Sequence, residues 1–98
     1  MRRVDHIAIV VDNTVDAANW YAENYEANIE YCDDSWSLVS FLNIKLAFIL
    51  PGEHPPHFAF EVKELDGGNT HRDGSRSIYK TDPWGNSFEL VVYPKVEK

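Results

Sequence analysis

An internal disulfide is excluded at once. The chain holds a single cysteine, Cys32, which cannot bridge within one molecule and fits a reducing compartment. Cationic side chains are also scarce. Nine Lys and Arg stand against sixteen Asp and Glu, a formal net charge of −7 over 98 residues. That balance argues against nucleic acid and anionic membranes as partners. No apolar run approaches the ~20 residues needed to span a bilayer, and the opening MRRVDHIAIVVDN has too short an apolar stretch for a secretion signal. Low-complexity segments are lacking as well. These absences set the expectation of a cytoplasmic protein. What is present is 44% hydrophobic and 13% aromatic residues. That is enough to build the core of one domain, in a size range where burial is modest and dimers are common.

Alternation and helical spacing divide the chain. Val4 to Val11 reads as a strand with Ile7, Ile9 and Val11 on one face and His6, Ala8 and Val10 on the other. Asp12-Asn13-Thr14 breaks it, with Thr14 as the expected helix cap. The spacing predicts a helix from about Val15 to Tyr25, with Val15, Ala18, Tyr21, Ala22 and Tyr25 on the buried stripe. Trp20 falls far from that stripe. It reads either as a surface aromatic lying over a neighbouring side chain or as a contact with a second subunit. Further strands are predicted over Asn28–Asp33, Trp36–Leu42 and Ile44–Leu50. The cluster Pro51-Gly52-Glu53-His54-Pro55-Pro56 then interrupts everything, since proline cannot donate to a sheet ladder. It separates a first module, about 1–50, from a second, about 57–94.

The second module opens on His57-Phe58-Ala59-Phe60-Glu61-Val62, which repeats the grammar of His6-Ile7-Ala8-Ile9-Val10-Val11. Both read His, apolar, Ala, apolar, any residue, Val, and the match suggests an internal duplication. Each His shares a strand face with an alanine two residues on, a small neighbour that leaves room for something other than protein. Between Lys63 and Gly74 only twelve residues remain, around Gly67-Gly68. A single helical turn or an irregular loop is expected there. Ser75–Thr81 is predicted as a strand. The turn Asp82-Pro83-Trp84-Gly85-Asn86 then leads into a strand with Phe88, Leu90 and Val92 on one face and Ser87, Glu89, Val91 and Tyr93 on the other. The tail Lys95 to Lys98 reads as frayed.

Glu89 is the residue that needs explaining. A carboxylate inside a half-buried strand costs free energy unless a cation meets it. His6, His57 and Glu89 all lie within strands, each on the less apolar face. Two imidazoles and one carboxylate from three strands are a donor set for a divalent transition metal with open coordination positions. Glu61 shares the face of His57 and is a candidate general base, against its reading as a solvated strand-end carboxylate. His54 sits among prolines and His71 in a polar loop, where it reads as solvent-exposed.

Four stretches together resemble the vicinal oxygen chelate superfamily, which includes glyoxalase I, extradiol dioxygenases, and fosfomycin- and bleomycin-resistance proteins. They are Asp5-His6-Ile7-Ala8-Ile9-Val10-Val11, the pair Trp20-Tyr21, His57-Phe58-Ala59-Phe60-Glu61-Val62, and Asp82-Pro83-Trp84-Gly85-Asn86-Ser87-Phe88-Glu89-Leu90. The last is similar to the family's Asp-Pro-x-Gly-Asn-x-x-Glu-Leu element, and the four in order span nearly the whole chain. The resemblance implies an α+β fold of paired βαβββ modules forming an incomplete barrel, here with the second module shortened. It implies a divalent metal (Fe, Mn, Ni or Zn) on His6, His57 and Glu89, and a small-molecule substrate chelated through adjacent oxygens. It also implies lyase, dioxygenase or transferase chemistry. Tyr79, Tyr93 and Glu61 are then pocket or proton-transfer candidates, with Trp36 and Trp84 as walls.

Two departures qualify the resemblance. Glyoxalase I and its relatives place a fourth ligand, Glu or Gln, where this chain has Ala47, which counts against a glyoxalase I or an epimerase. The helix expected after Val62 is missing, which leaves Phe58, Phe60, Val62, Ile78, Phe88, Leu90 and Val92 facing outwards without cover. A homodimer in which a partner covers that patch is the expectation. Lys45, and less so Arg76, are the candidate cations for an anionic substrate group. The alternative functions are a metal-free module that sequesters a small molecule, as bleomycin-resistance proteins do, and a fold retained for interaction alone.

Overall fold

The computed structural model describes residues 1–71 and 74–94. The fold is α+β, with one helix and eight strands among the described residues. In chain order these are β1 (Arg3–Val10), α1 (Thr14–Tyr25), β2 (Asn28–Cys32), β3 (Trp36–Ser40), β4 (Lys45–Ile49), β5 (His57–Glu61), β6 (Asn69–Thr70), β7 (Arg76–Thr81) and β8 (Ser87–Val92). They divide into two compact units, His6–His57, and Met1–Asp5 with the chain from Phe58 onward. The frayed tail expected at Lys95–Lys98 lies outside the described residues.

In the His6–His57 unit the strands run in the order β2-β3-β4-β1. β1 and β4 are parallel, with His6 opposite Lys45, Ala8 opposite Ala47 and Val10 opposite Ile49. β3 lies antiparallel to β4, with Leu38 opposite Ala47. This register gathers His6, Ala8, Lys45, Ala47 and Leu38 on one face. Ile9, Leu46, Phe48 and Val39 fall on the other, and that second face packs on α1 through Ala18, Ala17 and Tyr21. Phe48 and Val39 are wholly buried, and the Tyr21 ring stacks on Phe48 at 5.3 Å. The helix therefore decides which face of β1 is core and leaves the His6 face for other use.

The helix departs from the sequence expectation at its start. Asn13, not Thr14, is the cap. Its side-chain carbonyl oxygen accepts the Asp16 N–H at 3.0 Å from an extended backbone. Thr14 is the first helical residue and is buried. Its hydroxyl donates to the Asp33 carbonyl at 2.6 Å, while its own carbonyl accepts from Ser37 Oγ at 2.8 Å. Tertiary partners thus claim Thr14 and leave capping to its neighbour. The buried stripe is also narrower than the spacing implied, since Val15 and Tyr25 are exposed. Trp20 is half exposed and lies edge-on to Tyr21 at 4.8 Å, beside Tyr25 at 5.5 Å. Asp33 closes the β2–β3 hairpin by accepting from the Tyr31 hydroxyl and from Ser35 and Trp36. Those bonds, the Tyr31 one foremost, hold its carboxyl far below the usual carboxylate range.

In the unit from Phe58 onward the order is β5-β8-β7-β6. β5 and β8 are parallel, with Phe58 opposite Phe88, Ala59 opposite Glu89 and Phe60 opposite Leu90. β7 is antiparallel to β8, with Ile78 opposite Leu90 and Tyr79 opposite Glu89. No helix follows β5 among the described residues; the stretch carries only the two-residue β6, paired to β7. Gly68 lets that pairing come close. Its φ is +91°, and a Cβ there would lie 2.7 Å from the Ser77 carbonyl oxygen. The turn into β8 is tied by Asp82, whose carboxylate accepts from the Trp84 and Asn86 N–H groups and from the Asn86 side chain. The Asn86 bonds lead in holding the Asp82 carboxyl below its ordinary value.

Asn13→Ala removes the observed cap and lowers stability by about 1 kcal/mol, read as a lower urea midpoint at unchanged m. Thr14→Ser keeps the hydroxyl and moves the midpoint much less.

Candidate functional site

In the His6–His57 unit the two imidazoles of the sequence expectation meet. The His6 and His57 rings stand edge to face with centroids 6.0 Å apart. His6 is half-buried, and His57 is buried, 7% exposed. The proline cluster does more than end a strand. The Pro55 carbonyl oxygen lies 2.8 Å from His57 Nδ1. A carbonyl only accepts, so Nδ1 carries the ring proton that it receives. This backbone partner fixes both the ring's tautomer and its tilt, as an outer hydrogen bond does for a metal-bound histidine. Ala8, Ala47, Ile49 and Leu38 pack together as a small buried apolar cluster on the same face as His6. Ala47, where the resemblance places a fourth ligand, is therefore lined by carbon. Lys45 is the cross-strand neighbour of His6 and is half-buried.

In the other unit the polar face of the sheet is the buried one. Ser75, Ser77, Ala59, Glu89 and Val91 are each 5% exposed or less. Glu89 stands between Ala59 on β5 and Tyr79 on β7. The Tyr79 hydroxyl donates to the Glu89 carboxylate. Burial first, then the Glu89 charge and that hydrogen bond, push the Tyr79 phenol far above its ordinary value. Tyr79 thus keeps its proton across the working range of enzymes and acts as a donor that orients Glu89. Ala59 and Glu89 are cross-strand neighbours and share one face of this unit's sheet.

Tyr93 and Glu61 have different surroundings. The Tyr93 hydroxyl donates to Asp5 Oδ2 at 2.6 Å, and Asp5 is 7% exposed. In the sequence Asp5 stands out only as part of a motif, directly before His6. Glu61 is exposed at the end of β5. His71 was read as solvent-exposed. The residue as a whole is, yet its Nε2 lies 2.7 Å from the hydroxyl of the buried Ser77. The signal that could have found this was the run Ser75, Ser77, Tyr79. It places hydroxyls at every second residue of a strand paired with the Glu89 strand. Trp36 stacks on Tyr31 at 4.4 Å, and Trp84 stands exposed in the Asp82–Asn86 turn.

No protein-family profile and no curated protein sequence matches the chain. Solved structures do match, over almost its whole length. A methylmalonyl-CoA epimerase in complex with methylmalonyl-CoA and ammonium superposes with a TM-score of 0.79 at 16% identity, covering 99% of this chain and 98% of that one. A variant of the Streptomyces coelicolor methylmalonyl-CoA epimerase, bound to 2-nitronate-propionyl-CoA, gives 0.78 at 16% identity, covering 98% and 97%. A hypothetical protein from Bacillus halodurans C-125 gives 0.76 at 15% identity, covering 99% and 98%. At these identities the likeness establishes the fold. That fold, shared with these epimerase structures, agrees with the α+β fold that the sequence motifs implied.

Tyr93→Phe leaves the buried Asp5 carboxylate without this donor and lowers stability by about 1–3 kcal/mol. Chemical denaturation measures the loss. A loss under about 0.5 kcal/mol would show that the bond contributes little.

Proposed function

We propose that this chain, with its glyoxalase-type fold, is a divalent-metal-dependent enzyme that binds a small molecule through adjacent oxygen atoms. His6, His57 and Glu89 hold the ion. The observation that carries the reading is that the His6 and His57 rings meet at 6.0 Å within one unit, while the other unit holds Glu89 as a buried carboxylate. The donor set suits Fe, Mn, Ni or Zn, as two imidazoles and a carboxylate do. The Pro55 carbonyl occupies His57 Nδ1 and leaves Nε2 as the atom that would meet the ion. When bound, the ion would polarise two neighbouring substrate oxygens and stabilise negative charge on them.

The chain's own residues then take distinct parts. Tyr79 keeps its proton and holds Glu89 in one orientation. Tyr93 steadies Asp5, and through it the strand that presents His6. Glu61, exposed at the end of β5 on the face of His57, is the side chain able to accept a substrate proton. Lys45, across from His6, supplies a cation for an anionic substrate group. Coenzyme A thioesters are the first substrates to assay, because methylmalonyl-CoA is bound by a structural neighbour. Ala47 in the fourth-ligand position favours three-ligand chemistry, of the dioxygenase or transferase kind, over epimerisation. A cytoplasmic setting and a homodimer belong to the same reading. Cys32 is an exposed free thiol, and no described helix is long and apolar enough to cross a membrane.

Elemental analysis of the purified, untagged protein should find about one divalent ion per chain, and His57→Ala should abolish it. Tyr79→Phe should weaken metal affinity about tenfold while leaving the fold intact by circular dichroism. A wild-type protein that carries no metal and takes up no Mn²⁺, Fe²⁺, Ni²⁺ or Zn²⁺ would sink the reading and leave metal-free sequestration of a small molecule in its place.

A further inference from the structure

The two modules treat their outer sheet faces differently. In the first, α1 covers the face of Ile9, Leu46, Phe48 and Val39. In the second, the corresponding face presents Phe58, Phe60, Phe88 and Leu90 with no helix over them among the described residues. Their rings contact one another instead. Phe58 stacks on Phe88 at 6.1 Å and meets Phe60 edge-on at 5.3 Å. All four side chains are only half-buried. The same register that aligns them puts Arg76 and Lys80 on this face of β7, flanking Ile78, and puts no acidic residue there.

The outer surface of α1 has the opposite character. Asp16, Trp20 and Glu23 follow at helical spacing, so they share one stripe. All three are exposed, and the helix contains no Lys or Arg at all. Tyr25, 62% exposed, adds a second aromatic against the Trp20 ring. An aromatic centre flanked by carboxylates on α1 thus complements an aromatic centre flanked by cations on the second module. The dimensions agree too. A 12-residue helix is about 18 Å long, and the six-residue β8 beneath it is about 20 Å. Packing two copies of the sheet face against each other would instead bring Arg76 and Lys80 towards their own duplicates.

We infer that the second module is completed by a second copy of the chain, whose α1 lays its Asp16–Trp20–Glu23 stripe on the Phe58–Phe60–Phe88 face. This names the surfaces of the homodimer put forward above and rests on that reading. Sequestering Phe58, Phe60 and Phe88 is the hydrophobic part of the association, and the Asp16/Glu23 to Arg76/Lys80 pairings set its register.

Sedimentation equilibrium reads the assembly directly. The wild type should sediment at twice the 11.3 kDa chain mass at micromolar concentration. Asp16→Lys with Glu23→Lys, and separately Arg76→Glu with Lys80→Glu, should each raise the dimer dissociation constant by at least about tenfold. Mixing the two double variants in equal amounts should restore the dimer, because each helix then meets a face of opposite sign. Trp20→Ala should weaken the wild-type dimer. Circular dichroism confirms the fold of every variant, and metal content should not change in any of them. A wild type that stays at 11.3 kDa overturns both this inference and the homodimer. A dimer that survives all the variants overturns this inference alone. Variants that dissociate but do not re-pair on mixing overturn it as well.

Discussion

In the proposed function, everything at the site depends on one carboxylate buried inside a sheet. Glu89 is 5% exposed, with an alanine across one strand boundary and a tyrosine across the other. A buried carboxylate costs several kcal/mol unless charge and hydrogen bonds offset it. Tyr79 contributes a hydrogen bond, which settles direction but not charge. The cation is what the rest of the constellation provides for in the proposed function. His57 has its Nδ1 occupied by the Pro55 carbonyl, which leaves Nε2 as the ring atom that would meet the ion. The same logic explains the polar lining of that face, where Ser75 and Ser77 are buried beside Glu89 rather than turned to solvent.

The pleat carries this constraint outwards. With period two, putting Glu89, Ser77 and Ala59 on one face forces Phe88, Leu90, Ile78 and Phe60 onto the other. In the first module the same rule has a solution within the chain, because α1 takes up the apolar face through Ala18, Ala17 and Tyr21. The second module spends its connection on Gly67, Gly68 and a two-residue strand, which is too short to fold back as a helix. A polar site on one face and a surplus of aromatics on the other are one consequence of one periodicity.

Much of this was legible in the residues. The alternation of β1, β4, β5 and β8, the repeated His-x-Ala grammar and the Asp82–Asn86 turn all carry local signals strong enough to survive tertiary packing. What was not legible has a common cause. Thr14 and Asn13 are both good caps, and the choice between them fell to the Asp33 carbonyl, nineteen residues away. The partner of His57 is a backbone oxygen, which every residue has, so no side chain at position 55 announces it. The bulge in β2 between Ile29 and Tyr31 shifts the register that strict alternation assumes. His71 looked solvated because a polar loop says nothing about where an individual ring reaches.

The Asp5–Tyr93 hydrogen bond joins residues 88 positions apart. Its two groups therefore emerge from the ribosome 88 residues apart. Until Tyr93 is free of the exit tunnel, Asp5 waits without this donor, one residue from His6, and β5 waits without β8. The longest-range contacts are the last that synthesis allows, and they converge on the strands that carry His6, His57 and Glu89. The nascent chain can assemble α1 on β2, β3 and β4 early, as a unit of largely local contacts. It therefore acquires a core well before it acquires a site. The edge of β5 that pairs with β8 remains open to other chains throughout the interval.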